Sequence, residues 1–372
     1  MNKRIINLCL VLTEGMSLQL WDKFGILQRE IRLYEELLKY GVHTTFVSFG
    51  NSNELKYKDI LTNFDIICNR WGLPIQFYIY LINLLNYYKL SKIDIVKTNQ
   101  VESINTATRI SSFWKKPLLG RMGYFRSKIA KHIGEYDSQI YKDTIKLEKI
   151  LAINSSKILL TTEKSSSDFE EFYPESDCKT IVIPNYVDTA LFKPNDKIKK
   201  QYDLLYIGRL SEEKNINNLL EALIGLDIRT LFIGRGLLKD MVLDYKQKYN
   251  LNLELIEMIP NYQLPSYINS SMIFILPSLA EGNPKSLLEA MACQMPVIGS
   301  NVYGISNLIT DNFNGILCDT TIEGIRTSIN KLSNNRVLQN RLAKNARKYI
   351  LKHCSLDIIV KKEFKVYNNI LN

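Results

Sequence analysis

Paired cysteines, clustered histidines and long apolar runs are what this 372-residue chain lacks. Its six cysteines, Cys9, Cys68, Cys178, Cys293, Cys318 and Cys354, are scattered and form no C-x-x-C. Several sit inside apolar runs. That pattern argues against a disulfide framework or a thiolate zinc site and predicts reduced, mostly buried thiols in a cytoplasmic protein. The three histidines, His43, His132 and His353, lie far apart in the chain. Metal ligation and Ser-His catalysis therefore have little to draw on, and no metal site is expected. No stretch approaches the roughly eighteen apolar residues that a membrane-crossing helix needs. The N-terminal run around Ile5 to Leu12 is short, contains Asn7 and precedes no small-residue cleavage pattern. It reads as a first β-strand and not as a signal peptide.

What is present fits a soluble, two-domain protein. The chain is too long for one ordinary core, and it is 46% hydrophobic with a mean hydropathy of −0.11. The net charge of +10 has three readings: nucleic acid, an anionic membrane surface, or phosphorylated ligands. No Lys/Arg block of the nucleic-acid type occurs, so no nucleic-acid partner is expected. The excess is concentrated in residues 101–150, with ten Lys/Arg against five Asp/Glu.

Apolar runs and helical patterns alternate along the first half. Strands are expected at 5–12, 44–49, 65–68, 94–98, 117–121, 157–162 and 180–184. A helix is expected over 19–40, ending at Gly41 as a C-cap glycine. The aromatic stretch from Pro74 to Leu90 reads either as a core helix under the sheet or as a helix resting on a membrane surface. A further helix is expected over 126–152. Around 186–202 the alternation breaks at the polar, turn-rich Lys193-Pro194-Asn195-Asp196-Lys197, which reads as a linker. It then resumes with strands at 203–208, 230–233, 253–257, 272–276, 296–299 and 315–318. The segment 321–372 reads as helices alone. Strand–helix alternation implies open parallel sheets covered on both faces, an α/β class. Ligands of such sheets bind outside the carboxyl ends of the strands.

The densest such crossover is Pro277 to Ser300, PSLAEGNPKSLLEAMACQMPVIGS. Asn283 reads as helix N-cap and Pro284 as the first helical residue. Glu281 stands in the loop. Glu289 stands on an apolar helix, where it has two readings: a surface pair with Lys285 four residues back, or a carboxylate kept for a ligand. Upstream, Gly208-Arg209-Leu210-Ser211-Glu212-Glu213-Lys214 ends a strand and enters a helix. Arg209 and Lys214 beside a helix N-terminus read as an anion site or, for the loop taken alone, as ordinary charges in solvent. Gly234-Arg235-Gly236 is only part of a dinucleotide fingerprint and reads equally as a plain turn. Glu257-Met258-Ile259-Pro260-Asn261 forms another strand exit. Cations for phosphates and carboxylates for hydroxyls together describe a nucleotide-sugar pocket. Helix donors would come from Lys285, Ser286 or the Asn283 side, because Pro284 has no N–H.

Glu281 and Glu289 form an E-x7-E pattern within PSLAEGNPKSLLEAMACQMPVIGSNVYGISNLI. With Gly208-Arg209-Leu210…Lys214 and Ile183-Pro184-Asn185-Tyr186-Val187-Asp188, this pattern resembles the family 4 retaining glycosyltransferases. The resemblance implies the GT-B fold, two Rossmann-like doubly wound domains facing each other across a cleft. It implies an acceptor-side domain at 1–185, a linker at 186–202, a donor domain at 203–354, and a C-terminal helix at 355–372 packing back toward the first domain. It also implies transfer of a sugar from a nucleotide diphosphate sugar to a glycan or lipid-linked acceptor with retention of configuration, in polysaccharide or glycolipid synthesis. On the matching positions, Glu281 would bind the donor sugar, Glu289 the ribose, and Arg209 and Lys214 the diphosphate. Gly208, Asn283, Lys285 and Ser286 would border the donor, and backbone groups near Ile259 would read the base. Gly15 occupies the place of the glycine loop after the first strand.

Family members need no metal, and this chain has no D-x-D motif. No cofactor is expected beyond the donor substrate. The chain departs from the family where Met16 follows Gly15, where Gln294 and Tyr186 replace glycines, and where Gly120-Arg121-Met122-Gly123-Tyr124 lacks the usual histidine. Arg121 is the candidate there, as a substitute or facing an anionic acceptor. Rival readings are a donor-binding scaffold without transfer and a GT-B epimerase of the sugar nucleotide. The basic excess and the aromatic helix read either as a solvated basic surface or as a face that makes this cytoplasmic protein peripheral on an anionic membrane.

Overall fold

The computed structural model describes residues 4–125, 127–128 and 138–372. Two compact units emerge, one of Met1–Ile183 with Val360–Asn372 and one of Pro184–Ile359. The first holds a seven-stranded sheet ordered β3-β2-β1-β4-β5-β6-β7. Its strands are β1 (Ile6–Val11), β2 (Val42–Asn51), β3 (Asp65–Asn69), β4 (Ile95–Thr98), β5 (Leu118–Arg121), β6 (Lys157–Leu160) and β7 (Thr180–Val182). The second holds a six-stranded sheet ordered β10-β9-β8-β11-β12-β13. These strands are β8 (Tyr202–Ile207), β9 (Thr230–Ile233), β10 (Leu253–Ile256), β11 (Ser271–Leu276), β12 (Val297–Ser300) and β13 (Ile316–Cys318).

All the strand pairings are parallel. A parallel sheet carries helices on both faces, so its strands read as continuous apolar runs. The cores of β8, β9, β11 and β12 are buried accordingly, with Leu204, Leu205, Phe232, Phe274, Ile275, Val297 and Ile298 at 0–1% exposure. In each unit the strand order reverses once, at β1/β4 and at β8/β11. Such a switch point opens a crevice at the carboxyl ends of the two central strands. The loops after β8 and β11 hold the residues that the sequence singles out.

Several local expectations change. The helix expected over 19–40 is two helices, Leu18–Lys23 and Leu27–Leu38. The break falls at Gly25, where φ is +66°, and the chain re-enters the helix after Ile26 N–H donates to the Trp21 carbonyl. Buried Glu54 receives the N–H groups of Leu18 and Gln19 at 2.7 and 3.1 Å, so the first helix is capped from a distance as well as by Ser17. The aromatic helix divides at Asn86 into Ile75–Leu85 and Tyr87–Leu90. Only part of it is core: Tyr78 and Ile82 are buried, while Phe77 and Tyr80 are exposed.

The helix expected over 126–152 is seen as Gln139–Asn154, and His132 lies outside the described residues. Residues 186–202, read as a linker, pack onto the second unit. Val187 and Phe192 join its core, and Val187 exchanges backbone hydrogen bonds with Cys354 and Leu356. The last helix, Leu356–Leu371, belongs to the first unit from Val360 on. There Glu363 pairs with Lys97 of β4, and both are buried.

Candidate functional site

The loop after β8 is shaped by its own strand. Tyr206 donates its hydroxyl to the Arg209 carbonyl at 2.7 Å and lies where a Cβ on Gly208 would stand, 2.6 Å away. The neighbouring loop after β9 presses against it. A Cβ on Gly234 would fall 1.8 Å from the Gly208 carbonyl oxygen, so the glycines of Gly234-Arg235-Gly236 serve close approach of two backbones. Arg209 extends into solvent and pairs with Glu213. With the two side chains 71% and 41% exposed, that pair is worth about 0–1 kcal/mol.

Lys214 turns the other way. Its Nζ lies 2.6 Å from Glu281 Oε1, with the side chains 14% and 10% exposed. Ser278 Oγ donates to the same oxygen at 2.8 Å. Among the described residues Glu281 Oε2 has no hydrogen-bond partner, which leaves an acceptor for a ligand hydroxyl. Burial first, and then the Glu281 carboxylate, push the Tyr206 hydroxyl well above its ordinary pKa.

Two tethers hold the β8 and β11 loops together, and the loop after β12 packs against the β11 loop. Leu279 N–H donates to the Glu213 carbonyl at 2.8 Å. Asn215, left-handed at φ +58°, donates through Nδ2 to the carbonyls of Pro277 at 3.1 Å and Thr320 at 2.8 Å. Gly304 presses its backbone against the Glu281 and Gly282 carbonyls, where a Cβ would come within 2.3 Å. Sequence reading missed Asn215. The available signal was an Asn between a 3₁₀ turn and a helix, a position suited to the left-handed region.

The helix that carries Glu289 runs Lys285–Ala292. Asn283 is not its N-cap. Pro284 holds the cap position at φ −68° and ψ 117°, with no side-chain cap bond. Asn283 is engaged elsewhere: its Oδ1 accepts from the Asn185 N–H at 2.9 Å and its carbonyl from Asn185 Nδ2 at 2.6 Å. Its own Nδ2 is buried with no hydrogen-bond partner among the described residues. Lys285 and Ser286 open the helix, half-buried. Glu289 is 3% exposed, so it is no surface side chain. It accepts from Asn261 Nδ2 at 2.8 Å, and Asn261 stands two residues after Ile259, which is itself buried in the core. The structure thus brings Lys214, Ser278 and Glu281 together, and Glu289 with Asn261.

In the first unit Gly15 is exposed and left-handed at φ +79°, in a turn closed by Met16 N–H to the Thr13 carbonyl at 2.8 Å. Arg121, at the end of β5, is anchored through its N–H to Thr98 Oγ1 at 2.7 Å. Its guanidinium also lies 3.4 Å from the Asn99 carbonyl. Asn99 Nδ2 in turn donates to Thr13 Oγ1 at 3.1 Å, so the loops after β1 and β4 are stitched at the switch point. Among the described residues no group of three or more His, Cys, Asp or Glu could hold a metal ion. No described helix is long and apolar enough to cross a membrane.

Residues 187–349 match the family model described as Glycosyl transferases group 1. The Escherichia coli UDP-Gal:alpha-D-GlcNAc-diphosphoundecaprenol alpha-1,3-galactosyltransferase is 27% identical over 301 residues, 73% of this chain and 74% of that protein. Among solved structures, sucrose-phosphate synthase from Thermosynechococcus elongatus superposes with a TM-score of 0.78 at 15% identity, covering 98% of this chain and 99% of that one. HepE from Anabaena, solved in complex with UDP and glucose, superposes at 0.77 and 15% identity, covering 98% of this chain and all of that one.

Proposed function

We propose, for a chain that is a glycosyltransferase of GT-B fold, transfer of a sugar from a nucleotide diphosphate sugar to a glycan or lipid-linked acceptor with retention of configuration. The observation that carries this reading is the Lys214–Ser278–Glu281 cluster at the switch point of the second sheet, with Glu289 buried one helix away. Glu281 Oε2 accepts a hydroxyl of the donor sugar, and Glu289 accepts the ribose hydroxyls. Lys214 faces the diphosphate, and Arg209 swings from Glu213 to join it. Its present pair is weak enough to exchange for a phosphate. The first-turn N–H groups of Lys285 and Ser286 add donors, since helix N-termini favour anions.

As the bond to the sugar breaks, negative charge builds on the diphosphate. Fixed cations and N–H dipoles stabilise that charge more than they stabilise the ground state. The anomeric carbon passes through an oxocarbenium-like state. The leaving phosphate oxygen takes the acceptor's proton on the same face, so configuration is retained without a protein nucleophile. Gly15, on the loop after β1, and Arg121, at the carboxyl end of β5, belong to the acceptor side of this reading. The reaction needs no metal, and the protein works in the cytoplasm at an anionic membrane surface.

A donor panel of UDP-, GDP- and ADP-sugars tests the reading. UDP-sugars come first, because UDP occupies the HepE structure. Expected is donor-dependent product with the anomeric configuration of the donor, unaffected by EDTA. Product with donor alone, as an epimerase would give, contradicts it. So does unchanged turnover in both Glu281→Ala and Arg209→Ala.

A further inference from the structure

The helical stretch after β3 buries one side in the first unit and leaves the other bare. Phe77, Tyr80, Leu84, Tyr87 and Tyr88 are 56–74% exposed, and Phe113 of the adjacent helix Ile104–Trp114 is 52% exposed. Scattered apolar side chains on a surface need no explanation, but a contiguous cluster of this size marks an interaction face. Between the two helices runs a groove of ≈ 1010 Å³ that Tyr80, Leu84, Arg109 and Phe113 help to line.

The face is cationic as well as apolar. Lys92 Nζ lies 3.7 Å from the Tyr88 ring centre, the Arg109 guanidinium 5.1 Å from that of Tyr80, and Arg70 4.5 Å from that of Trp71. A second cavity, of ≈ 210 Å³, is bordered by Lys58, Arg70, Lys89 and Tyr88. Lys89 also pairs with Asp65. Residues 70–116 carry seven Lys/Arg, of which Lys97 is buried, against two Asp/Glu. One of those acids, Asp94, is bound to Asn7.

We propose that this face docks on an anionic phospholipid bilayer, with the rings at headgroup depth and Arg70, Lys92 and Arg109 on lipid phosphates. Tyrosines and a tryptophan with an apolar body and a polar tip suit the interfacial zone. Cations stacked on those rings place positive charge at the same depth. A second copy of the chain would bring the same charge against itself, so charge complementarity favours the lipid. The inference rests on the membrane part of the proposed function and is independent of sugar transfer.

Flotation of the full chain with phosphatidylcholine vesicles, with and without phosphatidylglycerol, tests it. Expected is binding to the anionic vesicles alone, lost as rising salt shortens the Debye length from about 10 Å at 0.1 M to about 3 Å at 1 M. Each of Lys92→Glu and Arg109→Glu is expected to weaken binding about fivefold or more, and Leu84→Glu with Tyr88→Glu to abolish it. Calorimetric binding of a UDP-sugar by the same variants, unchanged from the parent, shows that the fold is intact. It also separates the two readings: vesicle binding by a parent chain that binds none of the UDP-, GDP- and ADP-sugars sinks the transfer proposal and leaves the face standing. Equal binding to neutral vesicles, no binding to either, or a dimer in light scattering that Leu84→Glu dissolves would overturn the docking face.

Discussion

Lys214 Nζ stands 2.6 Å from Glu281 Oε1, two residues 67 positions apart that meet because β8 and β11 are neighbours. Removing one partner strands the other in a largely dry place. Lys214→Met is therefore expected to lower stability by about 2–3 kcal/mol, read by denaturant unfolding. Glu281→Gln keeps the shape and is expected to lower kcat/KM about 10²-fold, as losing a preorganised charged contact does. Initial rates with the best donor check it. A wild-type rate for Glu281→Gln would remove that residue from the site.

Glu289 tests a different kind of contact. A ribose hydroxyl is bound alike in ground and transition states, so Glu289→Gln is expected to raise the donor KM about tenfold and to leave kcat near its parent value. Asn261→Ala, which takes away the donor to Glu289 Oε1, is expected to move KM in the same direction by less. A fall in kcat at constant KM would mean that Glu289 does not hold the ribose.

The buried Lys97–Glu363 pair, with the Tyr367 hydroxyl on the same carboxylate, ties the last helix to β4. Burial, first of all, lowers the Lys97 pKa, and the Glu363 carboxylate works against that shift. Either single change, Lys97→Met or Glu363→Leu, is expected to cost about 3–5 kcal/mol, and the double change much less than the sum. Additive losses in a denaturant double-mutant cycle would show that the pair is not coupled.

Thiol labelling reads burial directly. Cys178 is exposed and the other five cysteines are buried. A hydrogen bond from the thiol to Asp177, more than any other cause, raises the Cys178 pKa. Only the thiolate reacts, so Asp177→Ala is expected to speed Cys178 labelling at pH 8. Burial pushes Cys9, Cys293 and Cys318 up to about 12, so these are expected to stay silent until the protein unfolds. A slower rate in Asp177→Ala contradicts the assignment.

Much of the second unit was legible in the chain. The apolar run before Pro277 and the one after Gln294 had to be strands, and the crossover between them put Glu281 on a carboxyl-end loop. The same local pattern put Glu289 on the helix that follows that loop. Helix breaks were harder. Nothing in the periodicity of 19–40 separates a glycine that ends a helix from one that a helix tolerates. The turn-rich composition of 186–202 reads as a linker, because Val187 and Phe192 reveal a core contact only once Cys354 is beside them.

The amino-acid sequence by itself determined the class of fold and the loops on which chemistry would fall. Strand and helix periods are local, and each loop's place at a strand end follows from them. The tertiary structure alone decided which charges meet. Arg209 and Lys214 stand on the same loop in sequence, yet one pairs with Glu213 in solvent and the other with Glu281, both largely buried. Asn283 turned from helix cap to partner of Asn185, and Lys97 found Glu363 some 266 residues away. Lateral neighbourhood in a parallel sheet is set by crossovers that span dozens of residues, and no local pattern encodes that distance.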